Sequence, residues 1–132
     1  MIVVTTFHIP GYRIDAVLGE VMGLTVRSLN IGTSFTAGLR SIGGGEIPEY
    51  TKIMYQSRQE VMNRMVTEAE RRGANAIVAM QFDTNSIGQF SEFCAYGTAV
   101  VAEPLAAGQP GATPQSAQLV AAAQAGQPRQ QY

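Results

Sequence analysis

The sequence predicts a single small α+β domain in which a mostly antiparallel sheet packs on one long helix. Three observations lead to this prediction. The chain has 132 residues, which is enough for one domain but not for two. Apolar residues recur at helical spacing over one long segment, residues 48–72. Two β-rich apolar segments precede that helix and two follow it. We expect the domain to span residues 1–103 and a tail to span residues 104–132.

The first two segments predict two strands. Ile2–Phe7 is apolar and β-branched, and a Pro-Gly turn signal follows it. Ile14–Arg27 is a longer β-like run that contains Gly19 and Gly23. Because an interior glycine weakens a strand, its presence indicates a bulge or the close approach of another backbone. We therefore expect Ile14–Arg27 to form one bent strand.

A short helix and a long helix come next. Phe35–Ile42 has apolar residues at spacings of four and three, and a run of three glycines ends it. The long helix is predicted from Pro48, which suits a first turn, to Arg72, with Gly73 as the residue that ends it. Its apolar stripe consists of Tyr50, Met54, Val61, Met65 and Ala69, and Ile53 and Met62 widen it.

The last two strands complete the predicted domain. Ala76–Phe82 is apolar on both faces, which is typical of a central strand. Asp83–Gln89 is polar and is predicted as a turn. Phe90–Ala102 alternates and then becomes continuously apolar, so it predicts the final strand.

The tail, residues 104–132, is predicted to be disordered. It holds four of the six prolines and is otherwise mostly Ala, Gln and Gly. Such a segment has few branched or aromatic side chains to bury against its ordering entropy. Leu119–Ala125 is compatible with a turn or two of helix, which is too short to persist alone in water.

Composition and charge exclude several classes of function. The net charge of −1 provides no basic stripe for nucleic-acid phosphates. A single cysteine excludes a disulfide framework and a cysteine-rich zinc module within one chain. No apolar run is long enough to span a bilayer, and the first residues lack the basic region of a secretory signal. We therefore expect a soluble, cytoplasmic protein.

Short motifs along the predicted domain form a recognisable pattern: TT at residues 5–6, GEV at 19–21, NIG at 30–32, LRSIGG at 39–44, Tyr50, EA at 68–69, GANAIV at 73–78 and AYGTAV at 95–100. In this pattern the chain resembles the YbjQ-like family of small bacterial proteins, which carries the label "putative heavy-metal-binding". The resemblance implies a homopentamer, a propeller-like β/α ring with extra strand pairing between subunits.

The metal-ligand candidates are His8, Cys94, Glu20 and Glu46, for a divalent ion that needs several N, O or S donors at one point. No CxxC, HxxxH or HExxH motif brings ligands together locally. Cys94 is also compatible with a packed strand residue and His8 with a turn residue. In a ring of the implied kind, five copies of Glu20 or Glu46 at the axis would form a cation-binding collar.

Catalysis and phosphate binding are weaker interpretations. Cys94 and His8 would meet if the first and last strands were neighbours, but a nucleophilic cysteine also needs a lowered pKa and access. The glycines at 43–45 lack the Lys-Ser/Thr of a P-loop, and Glu46 and Glu49 beside them would repel an anion. An enzyme is therefore less favoured than a binding protein, and no catalytic residue is assigned.

Two functions of different classes remain open from the sequence. The first is a ring that binds a metal ion or a small ligand at its subunit interfaces or axis. The second is a non-enzymatic interaction module that presents its C-terminal tails to a protein partner. Aromatic residues are candidates for a cleft between subunits or for the core: Phe35, Phe82, Phe90, Phe93, Tyr50, Tyr55 and Tyr96.

Overall fold

The computed structural model describes residues 1–28 and 44–126. The predicted short helix at Phe35–Ile42 lies outside the described residues. In chain order the described elements are β1 (Ile2–Val3), β2 (Tyr12–Ser28), α1 (Pro48–Arg71), β3 (Ala76–Ile87), β4 (Phe90–Pro104) and α2 (Pro114–Ala125). The predicted α+β class is confirmed.

The four strands form one open, mixed sheet in the order β1-β3-β4-β2. β4 pairs antiparallel with both β2 and β3, whereas β1 pairs parallel with β3. The sheet is therefore mostly antiparallel, as predicted, and β3 is a central strand. β1 is shorter than expected, although Val4 still donates to the Ile77 carbonyl at 2.9 Å and extends the contact with β3.

One of the two glycines in β2 forms a bulge, and the other allows the close approach of another backbone. Gly19 has φ +92° and lies at a register shift in the pairing with β4, so it forms a bulge. Gly23 is the point at which β2 approaches α1. A Cβ added there would lie 2.0 Å from the Val61 carbonyl oxygen and 2.7 Å from the Met65 nitrogen. The strand is single and bulged, as its sequence predicts.

β3 continues beyond its predicted end. The sequence predicted a turn from Asp83 to Gln89, and this prediction was wrong, because β3 remains paired with β4 as far as Ile87. The turn between Ile87 and Phe90 consists of two residues only, and its first, Gly88, has φ +60°. A glycine with positive φ at the first position of a two-residue loop is typical of type II′ hairpins.

α1 begins and ends as its sequence predicts. Pro48 stands in the first turn, where its missing N–H leaves no hydrogen bond unmade. At the other end Gly73 has φ +83°, and Gly73 and Ala74 donate to the carbonyls of Glu70 and Ala69, both at 3.0 Å. This pair of bonds is the Schellman motif.

The buried stripe of α1 is shifted from the predicted one. Its buried residues are Ser57, Val61, Met65 and Ala69, whereas Met54 is 38% exposed. The second half of the helix therefore carries the packing against the sheet, on the face that holds Val21, Phe93 and Ala95.

Among the described residues, the opposite face of the sheet is covered at one end only. There Ile9, from the segment between β1 and β2, packs with Val78, Val100 and Ala102. At the same end of the sheet, the side-chain amide of Asn75, which directly precedes β3, is bonded to β4. It donates to the Ala102 carbonyl and accepts from the Ala102 N–H, both at 2.8 Å. The far end of this face, towards the β3–β4 turn, stays exposed.

The tail differs from the expected disorder in residues 114–125, which form α2. Thr113 and Ser116 make a reciprocal capping box, and Ser116 is fully buried. Gly11, with φ +80°, leaves room for this cap, because a Cβ there would lie 2.5 Å from the Thr113 hydroxyl. Leu105 also donates to the Gly11 carbonyl at 2.8 Å. Within the described part of the chain, neither α1 nor α2 is long and apolar enough to cross a membrane.

Candidate functional site on the open face of the sheet

The uncovered half of the sheet is the main candidate surface, and we call it the open face. It lies opposite α1, since inward residues of β2 alternate with these outward ones. Register places Met22 beside Tyr96, Leu24 beside Cys94 and Val26 beside Glu92. The open face consists of Glu20, Met22, Leu24 and Val26 of β2, Glu92, Cys94, Tyr96 and Thr98 of β4, and Gln81, Asp83 and Asn85 of β3.

Large apolar side chains of this region are unusually exposed. Met22 is 50% exposed, Leu24 42% and Val26 53%, and Ile87 and Phe90 at the hairpin turn are exposed to a similar degree. Contiguous exposed apolar residues rimmed by polar ones are typical of an interaction surface. Tyr96 is fixed within the face, since its hydroxyl donates to Gln81 Oε1 at 2.8 Å.

Cys94 lies at the centre of the open face, between Leu24 on β2 and Asp83 on β3. Burial raises the pKa of its thiol, and the nearby carboxylates of Glu92, Asp83 and Glu20 raise it further. The side chain is a free thiol. A raised pKa keeps the thiol protonated at neutral pH, which is the opposite of what a cysteine nucleophile requires.

Glu20 shares the open face with Cys94 but is not adjacent to it. Its partner on β4 is Thr98, four residues along the strand from Cys94. Four residues of strand span about 13 Å. The two side chains therefore influence each other through charge, but they are too far apart to be adjacent ligands of one ion within one chain.

His8 lies at the other end of the molecule, in the segment between β1 and β2. The Thr6 hydroxyl donates to the His8 carbonyl at 2.6 Å. The residue lines a cavity of about 430 Å³ together with Tyr12, Leu105 and Pro110. Because β3 separates β1 from β4, the expectation that His8 and Cys94 meet through neighbouring strands is wrong.

Glu46 lies just before α1 and is exposed. It accepts a hydrogen bond from the Thr51 hydroxyl at 2.9 Å, which ties it to the first turn of the helix. It contributes to neither the open face nor the cavity at His8. The four metal-ligand candidates thus occupy three separate places.

Within residues 1–28 and 44–126 no three His, Cys, Asp or Glu side chains form a group able to hold a metal ion. The donor side chains in the described part of a single chain therefore do not fit a metal centre. The arrangement that comes nearest to a metal centre is the pair of Cys94 and Asp83, which lie opposite each other on β4 and β3. Asp83 was missed as a neighbour of Cys94, because its polar surroundings predicted a turn. Only the continuation of β3 brings it opposite Cys94.

An aromatic cavity of about 580 Å³ lies along the first half of α1, lined in part by Tyr50, Met54 and Tyr55. Arg58 also lines it, and its guanidinium lies 5.0 Å from the centre of the Phe82 ring. Tyr55 is 74% exposed. Of the aromatic candidates, Tyr50 and Tyr55 therefore line a cleft, whereas Phe93 belongs to the core.

Comparison with known proteins identifies the family. The family model described as "Putative heavy-metal-binding", YbjQ, matches residues 1–103. The chain belongs to the YbjQ family. This confirms the resemblance seen in the sequence. The matched region ends before α2 and contains the whole open face.

YbjQ-family relatives share about half of their residues with this chain. A UPF0145 protein of Acidothermus cellulolyticus is 59% identical over 100 residues, which are 75% of this chain and 93% of that protein. One from Mycobacteroides abscessus is 51% identical over 106 residues, covering 80% of this chain and 99% of the relative.

A solved structure shows the same fold. It is a protein of unknown function of the DUF74 family from Pediococcus pentosaceus, with a TM-score of 0.54 and 16% identity. The match covers 76% of this chain and 96% of that one. At this identity the likeness concerns the fold alone.

Proposed function

We propose that this protein is a subunit of a homopentameric, propeller-like ring that binds a divalent metal ion at its subunit interfaces. The observation that carries the proposal is the open face, where Met22, Leu24 and Val26 are about half exposed. In a chain of which only 14% is charged, against a usual proportion of roughly 25%, such a face favours burial against a second copy.

The edges of the sheet support a ring rather than a closed pair. β2 is a 17-residue edge strand, and the far half of β3 extends beyond its contacts with the N-terminal segment. Two different edges favour head-to-tail contact, and head-to-tail contacts close into cyclic rings. The number five comes from the family resemblance.

Some backbone carbonyls at the β2 edge already accept hydrogen bonds from within the same chain. Arg64 donates to the Leu24 carbonyl at 2.5 Å and Arg72 to the Glu20 carbonyl at 2.8 Å. Because these carbonyls have partners, we expect the open face to supply more of the subunit contact than the edge does.

Light scattering on the purified protein tests the assembly. We expect a mass of five times the 14.1 kDa subunit. Leu24→Lys places a charge on the open face and should release smaller species, whereas Leu119→Lys on α2 should not. Leu24 and Leu119 are matched in exposure, at 42% and 45%. A monomeric wild-type protein at micromolar concentration would refute the ring.

The metal part of the proposal requires ligands from more than one subunit, since those of one described chain do not converge. Cys94 and Asp83 are the donors that the open face offers, and Glu20 is available to a neighbouring copy. We place the protein in the cytoplasm, where a free thiol such as Cys94 stays reduced. Thiolate and carboxylate are ligands of Zn²⁺.

Metal analysis after incubation with Zn²⁺ and gel filtration tests this part. We expect retained zinc in the wild type and its loss in Cys94→Ser, while His8→Ala, on a distant turn, retains it. A ring that holds no zinc would refute the metal proposal and leave the assembly standing.

A second function is favoured by α2, which lies beyond the family-matched region and exposes most of its residues. In this alternative the ring is a non-enzymatic interaction module that displays its C-terminal tails to a protein partner. Deleting residues 104–132 should then abolish capture of that partner and leave the pentamer intact.

A further inference from the structure

A groove along one flank of α1 is separate from the open face and has a different chemistry. It has a volume of about 670 Å³ and lies beside the end of β2. Sites for small molecules commonly measure about 300–1,000 Å³. We call it the arginine groove. The residues that line it are Arg27, Gln56, Gln59, Glu60, Asn63, Arg64, Thr67 and Arg71.

The arginine groove is positively charged although the chain as a whole carries a net charge of −1. Its described lining residues include three arginines and one glutamate. Arg71 is paired only loosely, at 3.7 Å from the Glu68 carboxylate, and its side chain is 74% exposed. The excess of positive charge therefore arises from local placement and favours an anionic ligand.

Two of the arginines are held in fixed positions. Arg27 and Arg64 both pair with Glu60, one with each of its carboxylate oxygens. Arg64 is fixed again by its bond to the Leu24 carbonyl. A guanidinium whose orientation is fixed loses less entropy when it binds an oxyanion, and its planar fork suits carboxylate and phosphate oxygens.

Arg27 also has an unused donor. Its Nε atom is buried and has no hydrogen-bond partner among the described residues. An unsatisfied buried donor is unfavourable, and an oxyanion that reached this atom would satisfy it. The side-chain amides of Gln56, Gln59 and Asn63 add neutral donors without adding negative charge.

We propose that the arginine groove binds a small molecule bearing two or more phosphate or carboxylate groups. The groove is larger than a single phosphate needs. Arg27 and Arg64 meet at Glu60, whereas Arg71 lies about two helical turns beyond Arg64 on α1. Glu60 neutralises part of the charge on Arg27 and Arg64, so the ligand has to engage Arg71 and the amides as well. This inference does not depend on the metal site or on the ring.

Isothermal titration calorimetry of the full-length protein tests the proposal, with pyrophosphate and citrate as probes at constant ionic strength. Binding of pyrophosphate alone would identify a phosphorylated ligand, and binding of citrate alone a polycarboxylate. We expect Arg27→Gln to weaken binding at least tenfold. Arg13→Gln, which removes an exposed arginine outside the groove, should leave binding unchanged.

A second variant keeps the test valid if Arg27→Gln disturbs folding. Gln59→Glu adds a negative charge at an exposed helix position and removes no ion pair, so it should also weaken binding at least tenfold. No detectable heat with either probe, or equal affinity in Gln59→Glu and the wild type, would overturn the proposal.

Discussion

Gly23 determines how closely β2 and α1 approach each other. Since a Cβ at this position would lie 2.0 Å from the Val61 carbonyl oxygen, Gly23→Ala must push the helix away from the strand. We expect the free energy of unfolding to fall by about 3 kcal/mol, at the upper end of ordinary overpacking. Urea denaturation measures this change.

Gly126 provides the matched control for Gly23. A Cβ at Gly126 would meet the Ala122 carbonyl oxygen at 3.7 Å, an ordinary contact distance. Gly126→Ala should therefore leave the stability almost unchanged. Equal unfolding midpoints for the two variants would show that α1 does not lie where the structure places it.

The thiol of Cys94 should react slowly with alkylating agents. Its pKa is raised first by burial and then by the carboxylates of Glu92, Asp83 and Glu20, so little thiolate forms at pH 8. Glu92→Gln should lower this pKa and speed alkylation, whereas Glu103→Gln, on the same strand but not among the causes, should not. The rate of iodoacetamide labelling against pH measures both.

The same shift has a consequence for stability. Because the folded protein prefers the protonated thiol, the raised pKa adds to the free energy of unfolding. This contribution is fully present below the ordinary thiol pKa. It is lost as the pH rises through the raised value. Wild-type labelling as fast as that of an unstructured cysteine peptide would contradict the burial of Cys94.

Among the elements, α1 was predictable from local signals. The 3.6-residue period, Pro48 at the start of the helix and Gly73 after its end are each signals that act on residues a few positions away along the chain. The end of β3 was not predictable in this way. Residues 83–87 are exposed, so no alternation of apolar and polar residues marks them as a strand. Their pairing with β4 decides the structure there.

α2 depends on both local and distant residues. The capping box of Thr113 and Ser116 is local, but it is seated against Gly11, which lies more than 100 residues earlier in the chain. Composition alone predicted disorder because it contains no information about that contact. The candidate site has the same limitation, since Asp83 and Cys94 become neighbours only through strand register.

Thr113→Ala tests how α2 is held. Loss of an N-cap side chain costs a helix about 1 kcal/mol, because here Ser116 would lose the Thr113 hydroxyl as the acceptor for its N–H. We expect faster amide hydrogen exchange in α2 and no change in α1. Gln115→Ala, at an exposed position of the first turn, is the control. Unchanged protection of α2 in Thr113→Ala would mean that the cap does not hold it.

At the scale of the whole molecule, the open face and the segment added beyond the family region are separate. The open face lies within residues 1–103, which the family model matches, whereas α2 lies outside them.

Deletion of residues 104–132 should therefore leave the assembly intact and reduce the stability of each subunit. The open face is untouched, so light scattering should give the same number of subunits as for the full chain. The subunit loses the bond from Leu105 to Gly11 and the contact of Ser116 with Gly11, which we expect to lower the free energy of unfolding by about 1–2 kcal/mol. A deleted chain that is monomeric while the full chain is oligomeric would instead assign self-association to the tail. In that case the exposed Leu24 and Val26 would need another partner.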